Sequence, residues 1–393
     1  MLKQDFKIFD KDYTYLDSAA SAQKPQQVLD ELVHFYQNDY ANVHRGSCAL
    51  ATAATSAYEN ARRVVADFIQ ANASEIVFTK GATEAINLVA ASYAKTLKKG
   101  DEVLVCIAEH HANFVPWQQA CMMTGATFKT FDIKDDGTWD LDDFKKQLNG
   151  HTKVVAVAQL SNVLGVVNPV SKVVELAHAV GAKVMLDVAQ SVAHMLINVK
   201  TLDCDYLAFS GHKIYGPNGI GILYGKYESL KELQPYQFGG DMVDKVTIEQ
   251  TTFADIPARF EAGTPPIANA IGLAAALKYI SKIGWHKIQV HENEVFTALL
   301  IGLKKIRDIE FLGNPDLKKG LVAFNIEGIH PNDLNLILSK ENVCVRVGHH
   351  CAMPLHARLG VTASLRVSLG LYNDKKDIEH FLKALDKAIG FFK

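Results

Sequence analysis

The chain of 393 residues has no run of about 18 apolar residues, so it predicts no membrane-spanning helix. Met1 to Tyr15 alternate charged and aromatic residues and lack the apolar stretch of a secretory leader. Cysteine is sparse. Cys48, Cys106, Cys121, Cys204, Cys344 and Cys351 form no CxxC pair and no dense framework, which points to free thiols in a reducing, cytoplasmic compartment. Charge of one sign is lacking as well: 41 Lys+Arg against 43 Asp+Glu leave a net charge of -2, giving no global pull towards nucleic acid or an anionic membrane. Internal repeats and low-complexity segments are absent from the sequence. A hydrophobic share of 48% excludes a disordered chain, and the length suits two or three domains with a full core.

Short apolar runs alternate with helical patterns between about residues 50 and 225. Strands are expected at 75–79, 102–107, 153–160, 183–186, 206–209 and 220–224, and helices at 83–98 and 170–180. Runs this apolar suit strands covered on both faces, and their alternation with helices predicts a mostly parallel α/β sheet. After Pro265-Pro266 the pattern changes: long helices at 268–283 and 285–306, then strand–turn segments, then a helix at 375–391. This predicts a large α/β domain over 18–270 and a smaller C-terminal α+β domain over 271–393, joined by segment 1–17.

Ligands of open α/β sheets gather at the carboxyl ends of the strands. Polar or ionisable residues follow five predicted strands: Gly81-Ala82-Thr83-Glu84, Glu109-His110-His111, Ser161-Asn162, Asp187-Val188-Ala189-Gln190 and Ser210-Gly211-His212-Lys213. A lysine at a buried rim is nucleophilic and suits Schiff-base formation or phosphate binding; alone, Lys213 also reads as a surface turn residue. Asp187 fits a protonated pyridinium partner or a helix N-cap. Gly81-Ala82-Thr83 precedes a helix and suits an anion, although Thr83 as a cap explains it equally well; it is neither a P-loop nor a GxGxxG fingerprint. In Arg346-Val347-Gly348-His349-His350-Cys351, an Arg and two imidazoles would favour a nucleophilic thiolate at Cys351. The alternatives are a His/Cys metal site and an inert buried thiol. Arg366, on an alternating strand pattern, suits a carboxylate clamp or an ordinary salt bridge. His44-Arg45 suits substrate or cofactor contact, or loop capping.

Together these segments resemble the pyridoxal-phosphate-dependent cysteine desulfurases of the class V aminotransferase family, closest to the SufS-like (group II) enzymes and their selenocysteine lyase relatives. The carrying residues are Asn42–Gly46, Gly81–Asn87, Glu109–Trp117, Ser161–Gly165, Asp187–Gln190, Ser210–Pro217, Arg259–Pro265 and Arg346–Pro354, in family order over nearly the whole chain. Ala82 stands where Thr is common and Val188 where Gly often follows the Asp; neither removes a proposed functional side chain. The resemblance implies fold type I, the aspartate-aminotransferase-like PLP transferase fold. It implies that Lys213 carries pyridoxal 5′-phosphate covalently, that Asp187 pairs with the ring nitrogen and Gln190 with the ring hydroxyl oxygen, and that His110 stacks on the ring and serves in proton transfer. Thr83, Ser210 and His212 would bind the phosphate, helped by Thr264 from a second subunit. Asn162 and Arg366 would hold the substrate carboxylate, with Arg346 and His44 nearby, and Cys351 would take the sulfur as a persulfide.

L-Cysteine, or L-selenocysteine, would be the substrate, a homodimer the assembly, and a SufE-like or SufU-like protein the sulfur acceptor for iron–sulfur cluster assembly. No metal, nucleic-acid or membrane partner is expected. The competing readings are another PLP enzyme on this fold, such as an aminotransferase or a kynureninase-like hydrolase, a PLP-retaining protein without turnover, and a His/Cys metalloprotein.

Overall fold

The computed structural model describes residues 2–393. A two-residue strand, β1 (Thr14–Tyr15), opens the chain after two short helical turns. Seven strands then build the central sheet: β2 (Ile76–Thr79), β3 (Glu102–Cys106), β4 (Thr127–Phe131), β5 (Thr152–Ala158), β6 (Lys183–Asp187), β7 (Tyr206–Ser210) and β8 (Gly221–Gly225). Their order is β2-β8-β7-β6-β5-β3-β4. All neighbouring pairs from β7 to β4 are parallel, whereas β8 is antiparallel to both β2 and β7. β2 therefore runs the same way as β7, and the carboxyl ends of β2, β3, β5, β6 and β7 fall on one rim.

The unbroken apolar runs have a direct cause. On alternate positions Leu104, Val155, Val157, Val184, Leu186, Leu207 and Phe209 pack into one buried cluster, together with residues of the helices Ala49–Ile69 and Ile267–Ile283. The intervening positions Val103, Val105, Val154, Ala156, Met185, Tyr206 and Ala208 pack into another, together with the helices Ala82–Tyr93 and Val115–Thr124. A period-2 strand between two apolar layers must be apolar throughout. The fold is thus the mostly parallel α/β architecture that the alternation predicts. β4 (Thr-Phe-Lys-Thr-Phe) escaped the sequence reading because it is the edge strand and three of its five residues are polar.

The hairpin β9 (Val243–Val246) and β10 (Thr251–Phe253) projects after the central sheet. The C-terminal strands are β11 (Ile309–Phe311), β12 (Leu321–Ile326), β13 (Val343–Cys344), β14 (Arg346–Gly348) and β15 (Ser364–Ser368). Four of them form an antiparallel sheet of order β11-β12-β15-β14. The helices Trp285–Leu303, Pro331–Lys340 and Lys375–Phe392 share its apolar cluster, which includes Leu299, Leu338, Val367 and Phe381. The last helix starts on a capping box: the Asp374 carboxylate accepts from Lys376 and Asp377 N–H, and Asp377 reaches back to the Asp374 N–H.

The opening segment spans both regions. β1 pairs in parallel with β13 (Thr14 opposite Val343, Tyr15 opposite Cys344). Phe6 packs edge-on against Tyr215 and Tyr279, and against Tyr372 with ring centroids 5.0 Å apart. Two close backbone approaches flank the strand ends, the second of them between the central and C-terminal regions. A Cβ on Gly221 would collide with the Gly81 backbone at the start of helix Ala82–Tyr93, and one on Gly165 would collide with the Leu321 carbonyl of β12. Gly165 also has φ +66°, which favours glycine.

Candidate active site

The rim encloses a cavity of about 330 Å³ that takes side chains from all five strand ends and from the C-terminal sheet. Thr83, His110, Asn162, Asp187, Gln190, Ser210, His212, Lys213, Arg346, Cys351 and Arg366 all line it. Eleven of the thirteen residues singled out in the sequence therefore converge. The other two do not enter it within one chain. His44 bonds Glu59 at 3.0 Å beside Arg62, and Thr264 borders a separate hollow next to Lys80 and Glu84.

The floor is built by β6 and β7. Asp187 is the last residue of β6 and is buried; one of its oxygens accepts the Ala189 N–H at 2.8 Å, and the other has no hydrogen bond among the described residues. Burial raises its pKa, opposed by the nearby Lys213. Lys213 ends the turn after β7, and its amine has no hydrogen-bond partner among the described residues; burial lowers its pKa, opposed by Asp187. An amine and a carboxylate thus line one cavity without a direct bond, each shifted towards neutrality by desolvation. Gln190 is fixed by donating to the Ala19 carbonyl at 2.9 Å. Ser210 Oγ accepts the Ala82 N–H at 2.8 Å, which ties the end of β7 to the first turn of a twelve-residue helix. Its hydroxyl proton stays free to donate.

Two rim imidazoles, His110 and His212, are shifted towards the neutral form. Burial, then the charge of Lys213, pulls His110 down to about 3 and His212 down to about 4. His110 Nδ1 accepts the Ala112 N–H at 3.0 Å, so its proton sits on Nε2. Next to His110 in the chain is a group that the sequence reading names only within a strand-end segment and gives no role. Glu109 is 1% exposed and accepts from the Ala158 N–H (2.9 Å) and the Asn113 side-chain amide (2.7 Å). Burial pushes its carboxyl up to about 8, with Asp187 adding to the effect. The signal in the sequence was its place in the polar segment just past a strand end.

Cys351 sits across the cavity, exposed, in a turn between β14 and the short helix Met353–Arg358. His350 and Cys351 both have positive φ, 49° and 57°, a region that costs non-glycine residues on the order of 1–2 kcal/mol each. The turn is held open by bonds to its backbone. The Asn162 side-chain amide donates to the His350 carbonyl (2.7 Å), the His111 N–H donates to the Cys351 carbonyl (2.7 Å), and the Met353 N–H donates to His111 Nε2 (3.1 Å). One expectation is corrected. His350 does not add positive charge beside the thiol: its ring is buried against Ser364, and burial pulls it down to about 2.

The positive charge comes from Arg346 and Arg366, which face each other directly on β14 and β15. Arg366 is buried, donates to the Asn162 carbonyl at 2.9 Å, and is pulled down to about 10 by burial. Both guanidinium groups reach Asp17, just after β1. Among the described residues no three His, Cys, Asp or Glu side chains gather as a metal site, and no helix is long and apolar enough to cross a membrane.

A rim lysine, a carboxylate on the next strand end and a facing thiol define an α/β enzyme of the PLP-dependent transferase type. The family model for class V aminotransferases matches residues 14–381, and the chain belongs to that family, whose cofactor is pyridoxal 5′-phosphate. It is 45% identical to a probable cysteine desulfurase of Halalkalibacterium halodurans (100% of this chain, 98% of the relative) and 47% identical to a cysteine desulfurase of Dickeya dadantii (95% and 91%). The solved cysteine desulfurase CsdA from Escherichia coli superposes with TM-score 0.94 at 37% identity, covering 100% of this chain and 98% of that one. The apo cysteine desulfurase from Thermococcus onnurineus NA1 gives 0.95 at 37%, covering 99% and 98%.

Proposed function

We propose that the chain is a SufS-like cysteine desulfurase, which moves the sulfur of L-cysteine onto Cys351 and releases L-alanine. The observation that supports this most is that the Lys213 amine and the Cys351 thiol line one cavity, with Asp187 on its floor.

The residues fit pyridoxal phosphate. The Asp187 oxygen that no donor among the described residues meets belongs to a residue lining the cavity, where a donor such as a ring N–H could reach it. The unbonded Lys213 amine suits covalent attachment of the aldehyde. Gln190 would face the ring hydroxyl oxygen and neutral His110 would stack on the ring. Thr83, Ser210 and His212 would hold the phosphate at the positive end of helix Ala82–Tyr93, with Thr264 contributed by a second copy in a homodimer. Bound there, the cofactor supplies an electron-withdrawing ring that acidifies the substrate Cα–H.

The chain's own groups do the rest. Arg366 and Asn162 take the substrate carboxylate, with Arg346 beside them. Lys213, its basicity lowered by burial, removes the Cα proton once its amine is free. His110 holds a proton at Nε2, available for donation. The Cys351 sulfur bonds to the substrate sulfur as the substrate Cβ–S bond breaks, and the proton lost by the thiol is balanced at Cβ, which becomes the methyl of alanine. Cysteine plus thiol gives alanine plus persulfide, so no outside oxidant is needed. A SufE-like or SufU-like protein then accepts the sulfur for iron–sulfur cluster assembly in the cytoplasm, and L-selenocysteine is a second substrate.

The test is product analysis of the purified holoenzyme with L-cysteine and a thiol reductant. Equal amounts of alanine and sulfide are expected. A keto acid as the main product would overturn the reading in favour of transamination.

A further inference from the structure

By sequence the Cys351 turn belongs to the C-terminal region, and its anchor there is Ser364 of β15. Gly348 pairs with that residue, and the His350 and His356 rings each reach its hydroxyl at 3.1 Å. The rest of the segment packs on the central sheet. Ala352 and Leu355, both fully buried, join the apolar cluster of Leu104 and Val157 rather than that of the C-terminal sheet. The polar fastenings run the same way. His111, in the short turn after β3, donates its N–H to the Cys351 carbonyl (2.7 Å), and its Nε2 accepts the Met353 N–H (3.1 Å). Partial burial, then the nearby His349, lowers the pKa of this ring, which keeps Nε2 an acceptor. At the far end of helix Met353–Arg358, Arg358 Nε meets the Asp132 carboxylate at 2.9 and 2.8 Å, and its Nη2 donates to the Ile133 carbonyl at 3.1 Å. Asp132 and Ile133 follow β4. His111 in turn follows His110, whose ring lines the cavity.

We propose that His111 is a positioning residue for the thiol, which clasps the turn on both sides of Ala352 and fastens Cys351 to the central sheet beside His110. Arg358 completes the fastening at the other end of the helix. The sulfur is thereby placed by the region that builds the cavity floor, and not by its own sheet alone. Transfer between two sulfur atoms needs them in line, and a misplacement of about 1 Å costs up to about a hundredfold in rate. Removal of the Cα proton by Lys213 makes no use of the turn, so only the sulfur step depends on His111. The inference rests on the reading of Cys351 as the group that takes the sulfur.

The test joins amide hydrogen exchange to two rate measurements on the holoenzyme. His111→Leu keeps the backbone N–H and the bulk but removes the ring acceptor, whereas His111→Gln restores an acceptor near the Nε2 position. Exchange of the Met353 amide is expected to quicken about fivefold in His111→Leu and to stay within about twofold of the wild type in His111→Gln. Alanine formation from L-cysteine should fall about tenfold in His111→Leu and recover in His111→Gln. Exchange of the Cα–H of L-alanine for deuterium, which needs Lys213 and no thiol, should stay within about twofold of the wild type in both. Unchanged Met353 exchange or unchanged alanine formation in His111→Leu, no recovery in His111→Gln, or a loss of Cα–H exchange as large as the loss of alanine formation would overturn the proposal. Should His111→Leu fail to fold, His111→Asn, polar but too short to reach Met353, takes its place with the same expectations. A wild type that makes no alanine condemns the activity, and the Met353 amide still decides the fastening.

Discussion

The two walls of the cavity are built in opposite ways. The floor on β6 and β7 is largely buried and carried by regular strand ends, and its ionisable groups are shifted towards neutrality by desolvation. The Cys351 turn is exposed, has two consecutive residues in left-handed backbone, and is held by hydrogen bonds to its main chain. The difference teaches a division of labour. A buried floor tunes proton affinity, which needs dryness and rigidity. On the proposed function the thiol must first reach the substrate and then an acceptor, which needs exposure, and strained backbone bonded from outside provides exposure at a defined place.

Substitutions on the two walls should therefore fail differently. The largest effect is expected from Lys213→Ala, which removes the base: alanine formation should fall by at least about a thousandfold, and the cofactor should be held only noncovalently, as read by its absorbance and by loss on dialysis. Cys351→Ala should also stop alanine formation from cysteine, by roughly a hundredfold or more, yet leave the cofactor spectrum as in the wild type. Near-normal alanine release from Cys351→Ala would merge the two walls into one and break the comparison.

Asn162→Ala removes a buried hydrogen bond worth about 1 kcal/mol from the turn. Amide exchange around Cys351 and Ala352 should accelerate about fivefold, while exchange in β6 and β7 stays unchanged. Equal acceleration on both sides would show that the walls are not independent.

The smallest effect concerns Glu109, buried between the ends of β3 and β5. Its carboxyl is raised to about 8 in the folded protein, above its value of about 4.3 unfolded. The folded state therefore binds the extra proton between those values, and stability contributed by that proton is lost as pH rises through the window. Glu109→Gln removes the penalty, so the melting temperature of the variant minus that of the wild type should become more positive from pH 5 to pH 8. A constant difference would mean that Glu109 is not shifted.

Much of the floor was legible in the sequence, because a strand between two apolar layers advertises itself and ends where polarity begins. Asp187, Ser210 and Lys213 stand at such ends, as does His110. The turn was legible only in its residue types. Nothing local tells that His350 faces Ser364 and is neutral, because that burial comes from β15, and nothing local gives the positive φ at Cys351. Asp17 was hidden for a similar reason: its partners lie 329 and 349 residues away, and only strand pairing brings them together. His44 and Thr264 lie outside this chain's cavity, and a second copy would have to bring them to it.

The central claim is that the thiol of Cys351 receives the substrate's sulfur. Brief exposure of the reductant-free holoenzyme to L-cysteine, followed by peptide mass spectrometry, tests it most directly. The account predicts one additional sulfur atom on the peptide carrying Cys351, in amount equal to the alanine formed in the first turnover. Alanine produced with that peptide unmodified, or with the sulfur on Cys48 instead, would contradict it.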